Sequence, residues 1–113
     1  MKKILFKTFI SILLFTNIFC SGEKATVNIN LPTIQCGMCE DTIEKKLKKT
    51  PGISMVSVPY ANKSATIIYD MNKIDLPKIE KIISELGYVA NSTSANPDVY
   101  ERLPLCCKVP DSK

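Results

Sequence analysis

From residue 25 the chain alternates: Val27, Ile29 and Leu31 are apolar while Thr26, Asn28 and Asn30 are polar, the period of a strand with one buried face. Pro32 ends that run and opens a loop from Thr33 to Met38. The period then changes. Cys39, Ile43 and Leu47 recur every four residues, which places them on one face of a helix. The spacing predicts that this helix starts at Cys39 and runs to about Thr50, where Pro51-Gly52 stops it. Ile53 to Val58 reads as a second strand, Tyr60 to Lys63 as a turn, and Ala65, Ile67 and Tyr69 as the inward face of a third strand, hairpin-linked to the second. Asp75 is placed to cap a second helix, Pro77 falls in its first turn, and Leu76, Ile79, Ile82, Ile83 and Leu86 form its apolar stripe. Gly87 ends it. Tyr88, Val89 and Ala90 predict a short fourth strand.

The order strand, helix, strand, strand, helix, strand predicts an α+β fold of the ferredoxin-like βαββαβ type, an antiparallel four-stranded sheet with two helices on one face. At 113 residues, 45% hydrophobic and 23% charged, the chain suits one small globular domain.

The N-terminus carries a different signal. Lys2, Lys3 and Lys7 precede an apolar run from Thr8 to Phe19, the layout of a signal segment over residues 1–19. A spanning helix needs roughly 20 apolar residues, so the run points to export more than to a permanent anchor. Cys20, followed by Ser21 and Gly22, stands where a bacterial lipoprotein carries its acylated cysteine, although Phe19 replaces the small residue usual before it. The alternative is ordinary cleavage that releases a soluble protein. The expected location is periplasmic, or lipid-anchored at a bacterial membrane through Cys20. Removing residues 1–19 takes three of the 15 basic residues and none of the 11 acidic ones, so the net charge falls from +4 to 12 − 11 = +1. A nearly neutral chain argues against nucleic acid as a partner.

The candidate chemistry lies in Cys36-Gly37-Met38-Cys39. Two thiols three positions apart, where a loop meets a helix, can grip one soft ion. Thiolates match Cu(I), Ag(I), Hg(II) and Zn(II) far better than Mg(II) or Ca(II), and the chain has no His to offer imidazole. Cys39 lies in the first helical turn, whose unpaired N–H groups favour thiolate over thiol, and Gly37 is expected to let the loop bend so that both sulfurs converge. Glu40 and Asp41 suit a helix N-terminus, with a role as hard metal ligands the alternative. Lys45, Lys46, Lys48 and Lys49 read as a solvated helix end, with docking of an acidic partner or lipid head groups the alternative. Two sulfurs alone suit ions that accept near-linear coordination, whereas structural Zn(II) normally takes four protein ligands. The same spacing also serves redox disulfides and structural cross-links.

Over residues 25–92 the chain resembles the heavy-metal-associated domain family, which includes copper chaperones, the N-terminal modules of copper-transporting ATPases and periplasmic mercury-binding proteins. The resemblance rests on Cys36-x-x-Cys39 followed by Ile43-Glu44 and Leu47, then Pro51-Gly52-Ile53, Val56 and Val58, Ala65-x-Ile67-x-Tyr69-Asp70, and Gly87-Tyr88-x-Ala90. It implies a carrier and not an enzyme: Cys36 and Cys39 hold the ion, and a partner's cysteines take it by stepwise ligand exchange. Cu(I) is the cargo it implies first and Hg(II) next. The partner would be a metal-transporting membrane protein or a cuproprotein with Cys ligands, met by a monomer. The family commonly has Met-Thr-Cys at the loop where this chain has Ile34-Gln35-Cys36; Ile34 can fill the apolar volume of that Met. In the family the loop at Tyr88 approaches the metal loop, so Tyr88 either packs the core or shields the thiolates.

Residues 93–113 lie beyond the resemblance. Asn96 to Leu103 can form a short helix ahead of the adjacent thiols Cys106 and Cys107. These are either a disulfide-forming or incidental exposed pair in a loose tail, or thiols that fold back on Cys36 and Cys39. The second arrangement would raise the coordination number to three or four and move preference toward Zn(II) or Cd(II). From another class, a thiol-disulfide oxidoreductase shares a C-x-x-C at a helix N-terminus, but here no Trp precedes the first Cys and the order of elements differs from thioredoxin.

Overall fold

The computed structural model describes residues 23–110. The signal segment 1–19 and Cys20, and with them the expectation of lipidation, lie outside the described residues, as do residues 111–113.

Three strands and three helices follow in order: β1 (Lys24–Asn30), α1 (Gly37–Lys48), β2 (Ile53–Ser57), β3 (Ser64–Asp70), α2 (Leu76–Glu85) and α3 (Pro97–Glu101). Single 3-10 turns at Tyr60–Asn62 and Leu105–Cys107 complete the set. β3 is the central strand, antiparallel to β1 on one side and to β2 on the other. β1 runs in unbroken register from Lys24 opposite Asp70 to Asn30 opposite Ser64. On the other edge Ile53 faces Tyr69 but Met55 already faces Ile68, so Ser54 is the extra residue of a bulge.

The alternation sorts the two faces of the sheet. Ala65, Ile67 and Tyr69 of β3 are buried with Ile29 and Val56, while Thr66 points to solvent and donates its hydroxyl to Asn28 Oδ1 at 2.7 Å. Against the buried face lie Cys39, Ile43 and Leu47 of α1 and Ile79 and Ile83 of α2, all in one hydrophobic core. Asp75 caps α2 as its sequence position requires, its carboxylate accepting from Lys78 N at 2.9 Å. Glu44 ties α1 to the end of β2, its Oε1 accepting from Val58 N at 3.0 Å.

The expected fourth strand is absent among the described residues. Tyr88 and Val89 belong to no strand, and Ala90 forms an isolated bridge with Thr93. The cause is Asn91, whose φ of 52° reverses the chain immediately after Ala90. Ala90 and Thr93 then exchange both backbone bonds with each other, which leaves Ala90 nothing to offer β1. One contact survives: Asn91 N donates to Asn30 O at 2.8 Å, and Asn91 Oδ1 accepts from Asn30 N at 2.8 Å. Glu80 fixes this turn by accepting from Asn91 Nδ2 and Thr93 Oγ1, both at 2.9 Å.

Residues 93–110 are not a loose tail. Ser84 Oγ donates to Ser94 O at 2.6 Å and Ser84 O accepts from Asn96 N at 2.9 Å. Asn96 caps α3, its Oδ1 accepting from Asp98 N and Val99 N, and Leu103 packs against the core. α3 therefore docks beside the C-terminal end of α2, where Gly87 takes a φ of +96°. A Cβ at Gly87 would stand 3.1 Å from Leu103 Cδ1 and 3.3 Å from Tyr100 N, whereas one at Gly37 would meet nothing within 4 Å. Thermal unfolding should therefore show Gly87→Ala destabilised by about 1–3 kcal/mol, since it combines left-handed backbone with a close approach. Gly37→Ala should be neutral or stabilising by up to about 1 kcal/mol; an unchanged Tm for Gly87→Ala would contradict the docking of α3.

Candidate metal centre

α1 begins two residues before the position expected from its apolar period, at Gly37, and this makes Cys36 its N-cap residue. The backbone of Cys36 is extended (φ −155°, ψ 174°), while its carbonyl already accepts from Cys39 N at 3.0 Å and Glu40 N at 3.2 Å. Cys36 is thus held on the helix end and does not hang on a free loop. Gly37 sits in the first helical turn without left-handed backbone, so the bend attributed to it is supplied by the extended Cys36 instead.

Upstream the loop is anchored from three sides. Ile34 is fully buried, filling the core position that its apolar side chain allows. Its carbonyl accepts from Lys63 Nζ at 3.0 Å, and its N–H donates to Leu31 O at 3.3 Å. Gln35 closes locally on Thr33 O at 3.2 Å, and Thr33 Oγ1 accepts from Val89 N at 3.1 Å. Burying a side chain of this size contributes about 1.5–3 kcal/mol, enough to set the loop's position before any ion arrives.

The Cys36 and Cys39 sulfurs lie 3.8 Å apart, the first half-buried and the second fully buried. Cys106 and Cys107 return to the same place. The Sγ atoms of Cys36, Cys106 and Cys107 lie within 4.8 Å of one another, the Cys106 and Cys107 sulfurs are 3.9 Å apart, and Cys106 Sγ is 4.0 Å from Met38 Sδ. The 3-10 turn that carries the pair is pinned: Cys107 N donates to Pro104 O at 2.8 Å, Lys108 Nζ to Glu101 O at 2.8 Å, and Val109 N to the Tyr100 hydroxyl at 3.0 Å. Cys107 is buried within the main core, and Cys106 is exposed. All four thiols are free.

The electrostatics divide these thiols. The backbone N–H of Cys39, and after it that of Met38, faces the Cys36 sulfur at the positive end of α1 and draws its pKa down to about 7. No capping hydrogen bond of full geometry forms, so the field of the aligned N–H groups carries the effect. Cys107 goes the other way. Burial, reinforced by the neighbouring Cys39 thiol, pushes it up to about 12. Tyr88, fully buried, has its phenol raised beyond the ordinary range by burial first and by the adjacent Cys39 and Cys107 thiols second. The ring packs the core, and its hydroxyl stands beside two of the sulfurs.

The carboxylates stay outside this cluster. Glu40 Oε2 accepts from Tyr60 N at 3.3 Å, and Asp41 pairs with Lys45 at 2.7 Å. Lys48 pairs with Glu44 at 3.4 Å, so two of the four lysines are engaged along their own helix, as a solvated helix end should be. Sequence reasoning gave no role to Met38, which brings a thioether to Cys106, or to Lys63, whose ammonium clamps the loop. An exposed Met inside a thiol loop was a readable signal; nothing local marks Lys63.

Alkylation mapped residue by residue across pH tests the electrostatics. Because the thiolate is the nucleophile, labelling of Cys36 should reach half its maximal rate near pH 7 and fall below it, against about 8.5 for a free cysteine. Cys107 should resist labelling throughout the neutral range. A midpoint for Cys36 near the free value would contradict the placement of its sulfur at the helix end.

Residues 28–89 match the model of the heavy-metal-associated domain. The mercuric transport protein periplasmic component of Shewanella putrefaciens is 28% identical over 78 residues, which is 69% of this chain and 86% of that protein. Human copper-transporting ATPase 2 is 31% identical over 80 residues, 71% of this chain but only 6% of the ATPase. Among solved structures, oxidized MerP from Ralstonia metallidurans CH34 superposes with a TM-score of 0.58 at 28% identity, covering 61% of this chain and 96% of that one. Among the described residues no helix is long and apolar enough to cross a membrane. The matched span contains Cys36, Cys39 and the whole three-stranded sheet but for the first residues of β1, and the chain belongs to the heavy-metal-associated domain family.

Proposed function

We propose that this chain is an exported carrier of one soft metal ion, held between Cys36 and Cys39 and passed by ligand exchange to a partner that presents its own thiols. The observation that carries the reading is the pairing of two sulfurs 3.8 Å apart at the N-terminus of α1, one of them accessible and poised as thiolate near neutral pH. An electron-rich sulfur pair with no imidazole in the chain selects closed-shell soft ions over Mg(II) or Ca(II). Cu(I) is the first cargo and Hg(II) the second. Relatives named for copper transport and for mercuric transport both support this pair of ions.

Hand-over follows from exposure. Cys36 is reached from solvent while Cys39 is not, so an incoming thiol loses its proton, bonds the ion, and displaces the sulfur of Cys36, which takes up a proton. Cys39 leaves last. The acceptor is a metal-transporting membrane protein or a cuproprotein with Cys ligands, and only metal–sulfur bonds and thiol protons are exchanged, so the chain acts without catalysis. Its place is the periplasm or, through an acylated Cys20, the membrane surface.

A second reading has one specific observation in its favour: the pKa of Cys36, drawn down to about 7, also suits a thiol-disulfide oxidoreductase. Insulin reduction separates the two, a carrier giving negligible turnover.

Anaerobic competition titration of the reduced protein with Cu(I), Hg(II) and Zn(II) tests the main reading. One ion per chain should bind tightly, and Cys36→Ser/Cys39→Ser should weaken it by about a thousandfold or more. Absence of tight binding, or binding indifferent to that double substitution, would overturn the carrier.

A further inference from the structure

The two-thiol reading leaves the turn at Leu105–Cys107 without a purpose. The adjacent cysteines sit in a core-docked turn, one of them fully buried, and the turn is held by hydrogen bonds donated to Pro104 O, Glu101 O and the Tyr100 hydroxyl. That is much organisation for two thiols that form no disulfide with each other: their sulfurs are 3.9 Å apart, well beyond the roughly 2.05 Å of such a bond. They face Cys36, with which their Sγ atoms form a triangle no wider than 4.8 Å.

We propose that Cys106 and Cys107 are ligands of the same ion as Cys36 and Cys39, so that the cargo rests in a site of three to four sulfurs closed by the chain's own C-terminal segment. This deepens the carrier reading and rests on it. The spacing supports it. With a metal–sulfur bond of about 2.3 Å, two ligands on opposite sides of an ion stand about 4.6 Å apart, three in a plane about 4.0 Å, and four at tetrahedral corners about 3.8 Å. The two local pairs, at 3.8 and 3.9 Å, match the higher coordination numbers and would each have to spread to hold an ion linearly. Chemistry agrees: every donor in the cluster is sulfur, with Met38 Sδ 4.0 Å from Cys106 on the outer side, so nothing in it favours a hard ion.

The arrangement changes how the ion leaves. The turn at Leu105–Cys107 brings its two sulfurs against the Cys36 side of the pair. The vicinal thiols therefore occupy the places that an acceptor's two cysteines would fill. Cys106, exposed, is the sulfur an incoming thiol displaces first: one metal–sulfur bond forms as one breaks, and the proton lost by the entering thiol is matched by the one Cys106 regains. The segment would then act as a retaining clasp, slowing loss of the ion to small thiols while yielding to a partner that presents two. A three- or four-sulfur site also admits Zn(II) and Cd(II), which a two-sulfur site holds poorly.

X-ray absorption of the full-length reduced protein loaded with one equivalent of Cu(I), and separately of Cd(II), counts the sulfurs directly. The wild type should show three sulfurs around Cu(I) and three or four around Cd(II). Cys106→Ser, which alters an exposed side chain and spares the core, should lose one; Cys106→Ser/Cys107→Ser should leave two around Cu(I) and weaken Cd(II) by about a hundredfold. Circular dichroism of each variant before loading verifies the fold, and Cys106→Ser alone decides if the double variant does not fold. Two sulfurs around Cu(I) in wild type and variants alike, with equal affinities, would overturn the clasp and leave the two-thiol carrier standing. Failure of the wild type to bind either ion would overturn both.

Discussion

Everything chemical in this molecule depends on where α1 begins. A helix N-terminus leaves its first N–H groups without intrahelical partners and concentrates partial positive charge there. Here the residue placed to receive that charge is a cysteine, with a second cysteine one turn on along the buried face. The consequence is an asymmetric pair: Cys36 accessible and readily ionised, Cys39 sealed in the core beside Tyr88. The rest of the fold holds that helix end still. Buried Ile34 and the Lys63 clamp fix the loop before it, and Glu44 fastens the helix to β2 after it.

The second determinant is the C-terminal segment, which brings sulfur to the helix end from the far side of the chain. Its path follows from Gly87 and Asn91, two left-handed residues that turn the chain away from the sheet edge and lay α3 beside α2. Forgoing a fourth strand and docking residues 93–110 are thus one event: the turn that takes Ala90 from β1 launches the segment carrying Cys106 and Cys107. An extended pairing along β1 would have sent those thiols elsewhere.

The local periods made most of this legible. Ala65, Ile67 and Tyr69 alternate, Cys39, Ile43 and Leu47 repeat every four, and Asp75 caps its helix where its position says it should. The string of residues from Cys36 to Ala90 made the family legible as well. What failed were features that depend on a single backbone angle or on distance along the chain. Tyr88 and Ala90 are apolar because they face the core, a requirement that a buried loop meets as well as a strand; Asn91, a residue type that tolerates positive φ, was the available clue to the reversal. Cys39 looked like the helix start because it is the first residue on the apolar face, whereas the helix begins when its N–H groups lose their partners, three residues after Ile34. The closeness of Cys106 to Cys36 had no local signal; it could be entertained from the sequence only as one of two arrangements.

The central claim is that one soft ion is held at the N-terminal end of α1, and mapping of backbone amide shifts on adding one equivalent of Cu(I) to the isotopically labelled, reduced protein tests it most directly. The account predicts large changes confined to residues 34–40, to Tyr88 and to residues 105–108, with the sheet face around Thr66 unmoved. Changes centred elsewhere, or a spectrum unaltered by the ion, would contradict it.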